Sequence, residues 1–247
     1  MEERVVVEGL TGGYRPNKPV LHDLHLKIRA NELVGLIGLN GAGKSTTIKH
    51  ILGLMEPHKG SVMINGNTIT TDRETYRRSL AYIPETPILY EELTLWEHME
   101  LTALAYGIER KAFEERSKLL LDEFRMTKMK HWYPSHFSKG MRQKVMIICA
   151  FLIDPPVYIV DEPIVGLDPI GIQSFLQLLA TKKKNGAAVL MSTHILATAE
   201  RYCDRFIILN RGRIVLEGTL ESMRAELNMP DATLDDIYIE MTKEESQ

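Results

Sequence analysis

An α/β fold built on a mainly parallel central sheet is what this sequence predicts. Short runs rich in Val, Ile and Leu (VVVEG, LVGLIG, SVMING, LAYIP, VYIVD, AAVLMST and RFIILN) alternate with longer stretches of helical spacing. Some of these runs, VYIV and FIIL among them, are apolar throughout, as strands are when helices cover both faces of a sheet. Length agrees, since 247 residues make one large domain or one domain with an insertion. With 44% hydrophobic and 26% charged residues the chain reads as globular. A net charge of -3 leaves no basic excess, so no nucleic-acid partner is expected.

In chain order, MEERVVVEGL is acidic and lacks a signal-peptide profile, so a cytoplasmic location is expected. The run LVGLI then leads into GLNGAGKS, Gly38 to Ser45, and on into the helical TTIKHILGL. G-x-x-x-x-G-K-[ST] between a strand and a helix is a phosphate cradle. Gly38, Gly41 and Gly43, with Asn40 and Ala42 between them, let the chain wrap so that backbone N–H groups face phosphate oxygens. Lys44 adds a point charge toward the β- and γ-phosphates, Ser45 offers a hydroxyl to Mg²⁺, and Thr46 sits near the positive end of the helix dipole. The guanine-reading pattern Asn-Lys-x-Asp is missing, because NKPV ends in valine, so adenine is favoured.

From Glu91 to Ile153 the pattern is helical alone, which reads as a helical insertion into the α/β core. Thr94 and Glu97 match a capping box ahead of LWEHMELTALAY. KAFEERSKLLLDEF and SKGMRQKVMIICAFLI follow. The run VMIICAFLI is far shorter than the roughly 18 residues a membrane span requires. Cys149 inside it reads as a reduced core thiol, and with Cys203 alone besides, no disulfide scaffold or four-cysteine metal site is expected. The helix opening FSKGM is odd. Ser138 can cap it, but Gly140 weakens the first turn unless something approaches the backbone there.

VYIVDE ends a buried-type strand in two carboxylates, on the sheet edge that a parallel topology shares with the cradle. Asp161 then suits Mg²⁺, and Glu162 suits a base or water-positioning role at a γ-phosphate. Asp168-Pro169 opens a further helix as cap then proline, and Gly186 follows its basic end KKKN, read as a solvated terminus. The chain closes on TLDDIYIEM, with a capping pattern at Thr233 and Asp236 and apolar Leu234, Ile237, Tyr238 and Met241.

With these motifs in this order, the chain resembles the ATP-binding subunit of an ABC transporter over about residues 4–220. The resemblance implies a P-loop NTPase of ABC ATPase type: a RecA-like core, an N-terminal antiparallel β subdomain, and a helical subdomain at about 91–153. An ATPase domain over 1–220 and a helical tail over 221–247 would result. FSKGM corresponds to the family signature LSGGQ, which closes over ATP held by another subunit's cradle. Ser138 and Gly140 would then meet a neighbour's γ-phosphate. Tyr14 in TGGYRPN matches the aromatic that stacks on adenine, Asp168 in GLDP the interface loop, and His194 in MSTHILATAE the histidine that contacts the γ-phosphate.

The same resemblance implies ATP and Mg²⁺ as cofactors, with Ser45, Asp161 and Glu85 at the metal and Lys44, Glu162 and His194 catalytic. It implies a second ATP-binding chain in a homodimer, an integral membrane transporter subunit, and a peripheral position on the cytoplasmic face of the cell membrane. That partner would dock near the Glu85 loop, where Trp96 and Tyr106 are either contacts or core. Glu85 stands where the family has glutamine, adding charge near the triphosphate. Lys139 replaces the first signature glycine and either adds charge at the neighbour's phosphate or faces solvent. YIPETPILYEELTLWEH, HFSKGMRQKVMIICAFL and STHILATAERYCD are similar to Ecs-type ATPase subunits of Gram-positive bacteria, implying an Ecs-type membrane partner and export. Two other classes compete. One is a soluble ABC-type ATPase in a non-transport role such as iron–sulfur cluster assembly; the other is a small-molecule kinase, which would yield a phosphorylated product.

Overall fold

The computed structural model describes residues 2–243 and contains two sheets. In the smaller, β1 (Glu3–Gly12) pairs antiparallel with β2 (Leu21–Arg29) on one side and β4 (Lys59–Ile64) on the other. The larger contains β3 (Leu33–Ile37), β5 (Leu80–Ile83), β6 (Val157–Asp161), β7 (Ala188–Thr193), β8 (Arg205–Asn210) and β9 (Arg213–Gly218). Its order is β5-β6-β7-β3-β8-β9, parallel throughout except for β9. Every residue of β3, β6 and β7 is buried, which is why LVGLI, VYIV and AVLM read as apolar runs up to the polar strand ends at Asp161, Ser192 and Thr193.

Two strands were not expected. β2 alternates buried Leu24, Leu26 and Ile28 with exposed His25 and Lys27, but Asp23 in left-handed conformation and a register shift interrupt the pattern. β9 is a half-exposed edge strand that turns back on β8.

The helices are α1 (Lys44–Ile51), α2 (Arg73–Arg78), α3 (Leu95–Tyr106), α4 (Arg110–Glu123), α5 (Lys139–Leu152), α6 (Pro169–Lys184), α7 (Leu196–Tyr202), α8 (Leu220–Glu226) and α9 (Leu234–Lys243). The expected caps form. Thr94 N donates to Glu97 Oε2 at 2.7 Å while Thr94 Oγ1 accepts from Glu97 N. Asp168 caps α6, and Thr233 with Asp236 closes the reciprocal cap at α9. The basic end of α6 is not simply solvated: Lys182 pairs with Asp154 and Lys183 with Asp204, each at 2.8 Å.

Side chains from α3, α4, α5 and α6 share one continuous core with β5, β6 and β7, so the helical region packs directly on the sheet. Phe151 of α5 lies 5.5 Å from Tyr158 and 6.0 Å from Phe175, ring centre to ring centre. A second core joins the antiparallel sheet and α1 to the other face of the parallel sheet. A third gathers α7, α8 and α9 around Ile37, Phe206, Ile208 and Leu216. Trp96 and Tyr106 both lean on the first core. Trp96 sits edge-on to Phe113 at 4.9 Å, and the Tyr106 hydroxyl donates to Leu80 O. Burial pushes the Cys149 thiol up to about 11, as fits an inert core cysteine. Among the described residues no helix is long and apolar enough to cross a membrane.

Candidate functional site

The loop between β3 and α1 is shaped by backbone that only glycine adopts easily. Gly41 has φ 86° and Gly43 φ 113°, and Gly43 caps α1 with no side chain bonded to the helix start. First-turn N–H groups are thereby left for an anion. Leu39, Asn40, Gly41, Gly43, Lys44, Ser45 and Thr46 line a cavity of about 310 Å³ together with Tyr14 and Val20. Gly38 and Ala42 stand behind it: a Cβ on Gly38 would meet Leu209 O at 2.6 Å, and Ala42 O accepts from Gly212 N. Buried Lys44 donates through Nζ to Gly38 O at 2.6 Å and lies 3.6 Å from Glu162 Oε1. Tyr14 is exposed beside the loop, its hydroxyl accepting from Lys49 Nζ at 3.2 Å. Hydrogen bonds from Thr46 and then Lys49 hold its phenol below the usual range.

Parallel pairing brings the ends of β6 and β7 beside this loop. Asp161 and Glu162 are buried there. The Ser192 hydroxyl donates to Asp161 Oδ1, and Glu162 N donates to Ser192 O at 3.1 Å. Burial, opposed by the Ser192 bond, pushes the Asp161 carboxyl up, and the charges of Glu162 and Glu85 add to the shift. Glu162 has φ 45°, a left-handed conformation that costs a non-glycine residue about 1–3 kcal/mol and is characteristic of functional sites. Its Oε2 accepts from His194 Nδ1 at 2.8 Å and from His194 N at 3.3 Å. Glu85 is exposed just beyond β5.

The signature residues form a second group. Ser138 is exposed and caps α5, its Oγ accepting from Met141 N at 3.3 Å. Gly140 has a neighbour within its own chain: a Cβ there would stand 2.2 Å from Gly166 O. The Lys139 stem lies along Gly166. Asp168 accepts from Gly171 N at 2.6 Å and pairs with Lys144 Nζ at 2.7 Å, and the Lys144 bond holds its carboxyl below the usual range. None of Ser138, Lys139, Gly140 and Asp168 lines the cradle cavity.

The ABC transporter family model matches residues 21–165. The chain is 60% identical over 240 residues to the ABC-type transporter ATP-binding protein EcsA of Bacillus subtilis (strain 168), covering 97% of both chains. The chain belongs to the ABC transporter ATP-binding family. A solved structure of the ATP binding subunit of an ABC transporter matches with TM-score 0.94 and 54% identity, covering 97% of this chain and 99% of that one. The chain is also 33% identical over 221 residues to the doxorubicin resistance ATP-binding protein DrrA of Mycobacterium tuberculosis (strain CDC 1551 / Oshkosh), covering 89% of this chain and 67% of that one.

This ATP-binding subunit is therefore an ATPase of P-loop fold, and the loop from Gly38 to Ser45 stands where the sequence motif requires it. Sequence reasoning missed several polar partners. Ser192 fixes the end of β6, its hydroxyl donating to the Asp161 carboxylate and accepting from the Glu162 backbone N–H. Lys144 fixes Asp168, and Gln143 donates through Nε2 to Pro84 O at 3.0 Å, next to Glu85. Helical spacing does not flag Gln143 or Lys144, which lie five and six residues beyond Ser138 and so off its face of α5. Their partners, on remote loops, leave no local mark.

Proposed function

We propose that this ATPase subunit works as half of a pair, with each ATP held between one chain's cradle and the other chain's Ser138–Gly140 corner. The observation that carries the reading is the separation of the two groups: Lys44, Glu162 and His194 gather at the cradle, while exposed Ser138 and Asp168 stand outside its cavity. A second, identical chain would supply the missing corner.

In this reading the loop N–H groups and Lys44 bind the phosphates, Tyr14 stacks on adenine, and Thr46 lies against the phosphate end. Lys44 exchanges its contacts with the Gly38 and Leu39 carbonyls for phosphate oxygens. Glu162, oriented by His194, polarises the attacking water, and His194 steadies the γ-phosphate through its other ring nitrogen. Ser45, Asp161 and Glu85 are oxygen donors of the kind Mg²⁺ prefers, and the bound ion would neutralise phosphate charge. Among the described residues no three His, Cys, Asp or Glu side chains converge on a metal, so nucleotide oxygens would complete its shell.

The proposed partner is an integral membrane subunit of Ecs type, supported by the 60% identical relative named EcsA. Export is the proposed direction, because outward movement of a toxic compound is one way to give the resistance named for the 33% identical relative. The subunit would sit peripherally on the cytoplasmic face of the membrane. Its ATPase domain would span 1–220, with the helical subdomain at about 91–153 and a tail at 221–247.

Sedimentation of full-length Glu162→Gln with ATP and Mg²⁺ tests the pairing. Hydrolysis is expected to slow by about 10²–10⁴-fold while paired chains accumulate. Adding Ser138→Ala should weaken the pair. Single chains at saturating ATP and Mg²⁺, with or without the membrane subunit, would overturn the reading.

A further inference from the structure

The chain beyond Leu220 has no part in the cycle above, yet it reaches the cradle. The Tyr238 hydroxyl of α9 accepts from Leu39 N at 2.9 Å. Leu39 follows Gly38 in the phosphate loop, and its own side chain is exposed at the cavity. The Gly38 carbonyl belongs to the same peptide unit as that N–H and accepts from Lys44 Nζ at 2.6 Å. In a planar trans peptide these two groups point in opposite directions. One peptide is thus gripped at both ends, by Lys44 on one side and by the C-terminal helix on the other.

We propose that Tyr238 is a positioning residue for ATP binding, fixing the plane of the Gly38–Leu39 peptide and so the resting place of the Lys44 ammonium. The inference rests on the reading of this loop as the ATP cradle. Anchoring of α9 does not require the hydroxyl. Leu234 and Ile237 are fully buried, Thr233 and Asp236 cap the helix, and Leu234 N donates to Glu200 Oε2 on α7 at 2.8 Å. A phenylalanine would fill the same apolar space without burying a polar atom. The hydroxyl instead meets a backbone donor of the loop itself, and burial raises its pKa, so it stays neutral. Leu39 O in turn accepts from Ala42 N at 3.1 Å, which carries the constraint on into the turn. The same helix touches α7 at Glu200, on the helix that follows His194.

The test is full-length Tyr238→Phe, with ATP affinity measured by calorimetry in Mg²⁺ and with steady-state hydrolysis. Removing one hydrogen bond that preorganises the loop should raise Kd and KM for ATP about three- to ten-fold. The kcat should stay within about twofold, since the loop in the filled site is held by phosphate instead. A purely structural hydroxyl would leave KM unchanged, and that result overturns the proposal, as would a fall in kcat alone. Lys44→Met measured alongside separates the two levels. If it loses ATP while Tyr238→Phe binds as the parent does, only the Tyr238 role fails. If it binds ATP like the parent, the reading of the cradle itself fails.

Discussion

The cradle and the signature corner differ in how finished they are. At the cradle, Lys44, Asp161 and Glu162 are 6%, 5% and 7% exposed, and each is already bonded to a neighbour from another element. At the corner, Ser138 and Asp168 are exposed, and their bonds serve helix caps and a single lysine. Buried charges must be compensated when the chain folds, which explains the preassembled network of the first region. The second region can leave its polar groups facing water until another surface arrives. The contrast favours a site divided between two chains.

Three substitutions break or sharpen that contrast. The largest effect is expected at the cradle: Lys44→Met should lower phosphate release by about 100-fold or more, because it removes preorganised charge at the phosphates. Hydrolysis that persists in that variant would mean the buried region is not the working half. Gly140→Ala comes next. A Cβ 2.2 Å from Gly166 O forces the α5 start away from the GLDP loop, with an expected loss of about 1–3 kcal/mol in denaturant unfolding. Unchanged stability would show that the corner backbone yields easily, leaving only a partner to demand the glycine. The smallest effect belongs to Lys139→Ala. If its charge reaches a neighbour's phosphate, ATP-driven pairing should weaken about two- to five-fold, and less at high salt. No change at any ionic strength assigns that side chain to solvent.

How much of this was readable beforehand follows from the range of each interaction. Apolar runs mark β3, β6 and β7 because two covered faces admit polar residues only at the strand ends, where Asp161 and Ser192 bond each other. The caps at Thr94, Ser138, Asp168 and Thr233 were legible because partner and donor lie three residues apart. The glycine loop was legible for the same reason. β2 was hidden by its bulge, and β9 by its exposed edge position. The Tyr238–Leu39 bond spans 199 residues of sequence, and no periodicity encodes it. Gly140 shows a subtler limit: the weak first turn signals a close approach to its backbone, but the nearest neighbour is the chain's own Gly166.

Phe151 gives the helical region a consequence for its history. Its ring sits between Tyr158 of the sheet and Phe175 of α6, so one side chain serves as a keystone for three elements. Tightly filled interiors tolerate little change in volume at such a joint. Substitution in these helices is easier on their outward surfaces than at this joint. Variation among descendants should therefore collect on the outer rim and thin out toward the aromatic trio.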